Sequence, residues 1–234
     1  MFETGKSGMH RLWFHCRGGC SGEATRCSDC LNRALTLFES VESDNTGHFD
    51  RFRGASVSEV VSPDIVSNLA FVHLVMQQFD ESIAQYQKAL DLNPNVPAFR
   101  AMIAVAYTMK GMYPQALAEY DQIADQDKAV APENQLVAAT LGWVYAVSGR
   151  RTDALKIAQE FRDLSSHAYV DSYQVGPIYG SLGDTEDAFQ LLERGYKQHS
   201  ASMPFLAVDP MWSGMRSDPR YADLMRRMGL PQPN

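Results

Sequence analysis

The strongest pattern in the chain is a set of aromatic, glycine and alanine positions that recurs at nearly regular intervals. In three successive segments a tyrosine is followed four residues later by a glycine and then, five residues further on, by an alanine. These residues are Tyr107, Gly111 and Ala116; Tyr145, Gly149 and Ala154; and Tyr179, Gly183 and Ala188. Moved back by one further period, the same register falls on His73 and Ser82. A period of about 34 residues is typical of repeated pairs of helices.

We therefore predict four helix pairs, over residues 63–96, 97–130, 135–168 and 169–202. Small residues lie three positions before each aromatic site, where two helices must approach closely: Ala70, Ala104, Gly142 and Gly176. The recurring glycines lie where each first helix should end in a left-handed cap. Asp80 and Asp184 are predicted to cap the helices that follow, and Tyr107 is predicted to lie in the core.

The C-terminal segment 203–234 has a pattern of its own. Asp209-Pro210 and Asp218-Pro219 each place a capping aspartate before a proline, which is the arrangement preferred at the first position of a helix. Two short helices should result, the second over about 219–228. We expect them to cover the apolar end of the fourth pair, as terminal units of a repeat array do.

Several segments resemble the tetratricopeptide repeat. Phe79–Pro94 and Gly111–Tyr120 resemble its second helix, and Leu141–Tyr145 resembles its first. The Asp-Pro-rich tail is similar to the one that follows such arrays in bacterial multidomain signalling and regulatory proteins. The resemblance implies an all-α, right-handed superhelical solenoid of four helix-turn-helix repeats with a C-terminal helical cap. It also implies a non-catalytic scaffold or regulatory module that binds a segment of another protein.

The resemblance also implies that four positions of each repeat line a concave groove. In this chain none of them is basic, so a clamp for a C-terminal carboxylate is not expected. Instead they form an apolar and aromatic surface, typical of recognition of an apolar or amphipathic helix. The candidate partner-binding residues are Phe71, Val105, Met109, Trp143, Val147 and Tyr173. The alternative is that the tail, an N-terminal helix or a self-associating second copy fills this groove.

Charge and hydropathy narrow the range of partners. The net charge is −7 and the pI is about 5.3, which argues against nucleic acid and against an anionic membrane surface. The longest apolar run, Leu136–Val147, is far shorter than the roughly 18–20 residues needed to cross a bilayer. We therefore expect a cytoplasmic protein with a protein partner.

Residues 1–62 are poorly patterned and contain all four cysteines, Cys16, Cys20, Cys27 and Cys30. Their pairwise spacings suit thiolate ligands of tetrahedral zinc, although the gap between the two pairs is shorter than in common zinc modules. A redox role and incidental cysteines are the alternatives. No nucleophile or general base has a catalytic motif around it, so the sequence predicts no enzyme and no cofactor other than this candidate zinc.

Overall fold

The computed structural model describes residues 62–230. The predictions for the cysteine cluster and for most of the N-terminal segment lie outside these residues. Within them the chain forms helices and no strand. The α-helices are α1 Pro63–Val75, α2 Phe79–Leu92, α3 Pro97–Met109, α4 Tyr113–Asp121, α5 Asp125–Lys128, α6 Gln135–Val147, α7 Arg151–Leu164, α8 Ser172–Leu182, α9 Thr185–Lys197 and α10 Pro219–Arg227. Two 3₁₀ segments, Met203–Ala207 and Pro210–Met215, precede α10.

The helices stack as successive pairs. Each first helix packs on the second helix of its own pair, and the first helices α3, α6 and α8 also pack on one another in that order. Helices α3 and α6 are consequently buried on nearly every side. This is the stacking of a solenoid, in which each unit buries its apolar face against its neighbours. The predicted all-α solenoid is confirmed.

Small side chains make the close helix approaches possible. Ala116, Ala154 and Ala188 are completely buried. A methyl group on Gly142 would lie only 2.6 Å from Cδ1 of Ile178 in the next pair. In the first pair Ser82 takes the place of the alanine, and its hydroxyl donates to the carbonyl of Ala70 at 2.9 Å. The polar group therefore costs little, since its hydrogen bond is kept on burial.

The first helix of each later pair is followed by the predicted glycine in the left-handed region, with φ of +72° at Gly111, +82° at Gly149 and +85° at Gly183. Gln77 adopts φ +61° at the equivalent place in the first pair, which is unfavourable for a residue with a side chain.

Of the two predicted aspartate caps, Asp80 was wrong, whereas Asp184 occupies the predicted N-cap position. Gln78 is the N-cap of α2, so Asp80 lies in the first turn and pairs with Lys110 instead. Asp184 is at the N-cap of α9, but its side chain accepts no capping hydrogen bond. Acidic groups in a first turn still interact favourably with the helix dipole.

Two of the four residues at the aromatic position of the repeat are less buried than predicted. Tyr107 and Tyr145 are half-buried, and the Tyr145 ring instead faces the Arg150 guanidinium, 4.3 Å from the ring centroid. Only His73 and Tyr179 at this position are buried, each 7% exposed. Tyr107 is therefore not the core residue that its place in the repeat indicated. Among residues 62–230, no helix is both long enough and apolar enough to cross a membrane.

Candidate functional site

The C-terminal tail, residues 203–230, begins each of its last two helical segments at an aspartate. The Asp209 carboxylate accepts the Met211 N–H at 2.9 Å, and the Asp218 carboxylate accepts the Arg220 N–H at 2.9 Å. A proline follows each aspartate, at a position where no backbone donor is needed. The Asp-Pro dipeptides thus start the 3₁₀ segment 210–215 and α10, as their sequence indicated.

Trp212 continues the repeat into this tail. It lies one repeat period after Ile178, and its fully buried indole packs over Gly176 as Ile178 packs over Gly142. A methyl group at position 176 would overlap Cη2 of the indole and lie 2.8 Å from its Cζ2. The tail therefore acts as an incomplete fifth unit on the fourth pair.

A buried hydrogen bond joins the tail to the fourth pair. The Tyr173 hydroxyl donates to Oδ2 of Asp209 at 2.7 Å, and the Tyr173 and Trp212 rings are 5.6 Å apart. Burial raises the pKa of Asp209, and the hydrogen bonds from Tyr173 and Met211 offset part of that effect. Burial, with the neighbouring Asp209 charge, raises the pKa of Tyr173 well above its usual value. Both groups act here as a fixed donor and acceptor.

Ion pairs hold α10 against α9 at the surface. Arg220 pairs with Glu186 at 2.8 Å, and Arg227 makes two hydrogen bonds to Glu193, at 2.5 and 2.9 Å. The Arg220 guanidinium also lies 4.2 Å from the centroid of the Phe189 ring. Exposed pairs of this kind each contribute little, but the bidentate geometry fixes the orientation of the helix.

The tail also reaches the first pair of helices. The Phe205 ring meets the Phe71 ring edge-to-face, with centroids 5.3 Å apart and planes at 82°. Phe71 belongs to α1, at the opposite end of the array from the fourth pair. The 3₁₀ segment 203–207 therefore contacts one of the predicted groove residues.

The six predicted groove residues differ in exposure. Val105 is fully buried, and Trp143 and Tyr173 are each 3% exposed, so these three offer no surface to a partner in this conformation. Phe71, Met109 and Val147 are half-buried. The structure thus brings Phe71 and Tyr173 into contact with the tail and leaves three groove residues partly accessible; their role in binding stays a prediction.

Comparison with known proteins agrees with this architecture. Residues 73–131 match a family model described as the tetratricopeptide repeat. A solved structure, a tetratricopeptide repeat protein from Parabacteroides merdae ATCC 43184, is similar over 87% of this chain and 73% of its own, with 14% sequence identity and a TM-score of 0.52. The fold is a tetratricopeptide repeat solenoid. A comparison with curated proteins finds no match.

Tetratricopeptide repeats generally mediate protein–protein interactions, and solenoids present a concave surface for them. The sequence offered the tail as one possible occupant of the groove, but it did not indicate that Phe205 and Asp209 would be the tail residues that contact Phe71 and Tyr173. The Asp209-Pro210 dipeptide was a usable signal for the helix start. Nothing in the local sequence around Phe205 indicated its contact with Phe71, because most of the array separates the two along the chain.

Metal chemistry has no support from the folded array. Within residues 62–230, no group of three or more His, Cys, Asp or Glu side chains is placed to hold an ion. The candidate ligands Cys16, Cys20, Cys27 and Cys30 lie outside the described residues.

Proposed function

We propose that this protein is a non-catalytic interaction module that binds an apolar or amphipathic helix of another protein on its concave side. The observation that carries the proposal is the composition of that side. No position of the first helices that is expected to line it is charged or a histidine, and several are aromatic or methionine. Such a surface gains by excluding water and offers no acid or base for catalysis.

The exposure pattern supports three of the predicted groove residues as the ones that contact the partner. Met109 and Val147 are half-buried on the first helices α3 and α6, and Phe71 is half-buried on α1. Methionine adapts its shape to an apolar partner, and an aromatic ring provides a large contact area. Trp143 is a residue type often found at binding hot spots, but with 3% of its surface exposed it offers little area to a partner.

The absence of basic residues at these positions disfavours a negatively charged partner segment. A C-terminal carboxylate or a phosphorylated segment would find no charge partner there. The binding should therefore depend little on ionic strength, since salt screens charges and does not weaken apolar burial. We place the module in the cytoplasm as a scaffold or regulatory array, in keeping with its resemblance to arrays of bacterial signalling proteins.

The test compares three variants of the full chain as immobilised baits. Met109→Glu and Val147→Glu each put a charge on the concave side, whereas Leu92→Glu puts one at the end of α2, where Leu92 is 45% exposed. Proteins retained from an extract of the source cells are quantified by mass spectrometry. We expect a partner that is lost with both concave variants and kept with Leu92→Glu. The same retained set for every bait, including the native chain, would show that the concave side is not used.

A second candidate function is zinc binding by the N-terminal cysteines, favoured by the paired spacing of Cys16 with Cys20 and of Cys27 with Cys30. The repeats would then dock a small metal-binding or redox segment to a partner. Metal analysis of the purified full chain, with Cys27→Ser and Cys30→Ser as the comparison, tests this. About one zinc per chain that is lost in both variants supports it. A metal-free native chain rules it out.

A further inference from the structure

Phe205 occupies one of the positions that a partner would use. Its ring meets the Phe71 ring edge-to-face, with centroids 5.3 Å apart, and Phe71 is a predicted groove residue of the first helix. Edge-to-face geometry is a favourable arrangement of two aromatic rings, beyond the area that they bury. The chain therefore already places an aromatic side chain of its own where an external one would bind.

The rest of the segment 203–207 is held independently of this contact. Met203 and Leu206 are buried, at 3% and 0% exposure, and Met203 packs beside Gly195 of α9. The Tyr221 hydroxyl donates to the carbonyl of Leu206 at 2.5 Å. Downstream, Asp209 is bonded to Tyr173 and Trp212 is packed on Gly176. The ring of Phe205 can thus leave Phe71 without release of the tail from the fourth pair.

We propose that Phe205 is a self-inhibitory plug, which takes the place against Phe71 of a large apolar side chain from the partner helix. This inference rests on the proposed function and names how that site is regulated. The partner must displace the Phe205 ring, so only molecules in which the ring has left Phe71 can bind it. The measured affinity of the native chain is therefore the intrinsic affinity multiplied by the fraction of such molecules. A partner with an aromatic residue at the centre of its apolar face competes best, because it reproduces the edge-to-face contact.

Removing the plug should therefore strengthen binding. Phe205→Ala frees the Phe71 ring from this contact, while Leu206, Asp209 and Trp212 keep the tail in position. The expected gain in affinity for an aromatic partner helix is about fivefold, the factor that corresponds to an aromatic pair of ordinary strength. Phe205→Leu keeps apolar volume but loses the ring, so it should give a smaller gain in affinity. It replaces Phe205→Ala in the comparison if the alanine variant folds poorly.

The experiment uses the full chain and two fluorescein-labelled synthetic amphipathic helices of about 18 residues, long enough to be helical when bound. They are identical except for Phe or Ala at the centre of the apolar face, and their dissociation constants are measured by fluorescence anisotropy. The protein forms are the native chain, Phe205→Ala, Phe205→Leu, the double variant Phe205→Ala with Phe71→Ala, and Tyr169→Ala. The last removes an aromatic ring that is 58% exposed outside this contact and is the matched control. Circular dichroism confirms that each form is folded.

If Phe205 acts as a plug, Phe205→Ala binds the Phe-containing helix more tightly than the native chain does. The Ala-containing helix shows no such gain in affinity. Adding Phe71→Ala to Phe205→Ala abolishes the gain for the Phe-containing helix. Equal affinity of all forms, or weaker binding by Phe205→Ala, would contradict the self-inhibitory role of Phe205. The proposal that the groove binds an apolar helix would not be affected by that result. Dimerisation of Phe205→Ala on size exclusion with light scattering would also contradict the self-inhibitory role, since a second copy would then be the occupant. If no form binds either helix, the proposed partner chemistry itself fails.

Discussion

The indole ring of Trp212 fills the space that a side chain at position 176 would occupy. Gly176 lies inside α8, where alanine would ordinarily stabilise a helix by roughly 0.5–1 kcal/mol relative to glycine. Here we expect Gly176→Ala to reduce the free energy of unfolding instead, by about 1–3 kcal/mol, because the added methyl overlaps a fully buried indole. Urea unfolding followed by circular dichroism measures the change.

Gly214→Ala is the matched control for this variant, since a methyl group there would meet nothing within 4 Å. It should leave the stability nearly unchanged. A Gly176→Ala chain as stable as the native one would mean that the tail is not seated on α8.

The buried Asp209 predicts how tail docking depends on pH. Its pKa is raised above the usual 3.8 on folding, because burial disfavours the charged carboxylate more than the hydrogen bonds from Tyr173 and Met211 and the nearby Arg216 favour it. A raised pKa in the folded state means a contribution to stability that is complete below pH 3.8 and is lost as pH rises through the folded value. Urea unfolding of the native chain and of Asp209→Asn, measured at intervals from pH 4 to pH 7, isolates this contribution.

We expect the native chain to lose stability relative to Asp209→Asn as pH rises over this range. The comparison with the variant is needed because other groups have the opposite effect. Arginine partners lower the pKa of Glu186, Glu193 and Asp218, so these carboxylates lose their contribution as pH falls. A difference between the two chains that does not vary with pH would contradict the assignment of Asp209 as a buried acceptor.

Trp143 and Tyr107 should differ in their importance for folding. Trp143 is 3% exposed, so Trp143→Ala should cost about 3–5 kcal/mol, as other large aromatic truncations in cores do. Tyr107 is half-buried, so Tyr107→Ala should cost only about 1–2 kcal/mol. Thermal unfolding of both variants gives the order. The reverse order would show that the concave side of α6 is more open than the structure indicates.

Removing the tail should expose the last pair of helices. Deletion of residues 203–234 uncovers Tyr173, Gly176 and the neighbouring apolar face of α8 and α9, and a large uncovered apolar patch promotes self-association. Light scattering after size exclusion should show oligomers. Deletion of only residues 231–234 is the control and should give the same oligomeric state as the native chain. A monomeric, equally stable 1–202 fragment would show that the tail is not a cap.

The sequence predicted the parts of the fold that depend on local geometry. Gly111, Gly149 and Gly183 indicated left-handed caps because only glycine adopts that conformation without strain, and the alanines indicated close helix approaches. The Asp80 cap was wrong because α2 begins earlier in the chain than its aspartate indicated. Tyr107 was assigned to the core from its register alone, which fixes the side of the helix and not how far the neighbouring pair covers the ring.

The site was harder to predict than the fold. The register placed Phe71 and Tyr173 on the same side of the array, and in the structure both contact the tail. The register could not predict that the tail contacts the first helix, because that contact depends on how the four stacked pairs curve. Phe205 and Phe71 share no local pattern, and only the assembled solenoid brings their rings together.

The central claim is that the concave side binds a segment of another protein, and site-specific photo-crosslinking tests it most directly. Benzoylphenylalanine is introduced in place of Met109, on the concave side, and separately in place of Leu155 on α7, which is 39% exposed. Irradiation of the producing cells should join a second protein to the chain through position 109 and not through position 155. Adducts through position 155 alone, or through neither position, would contradict the account.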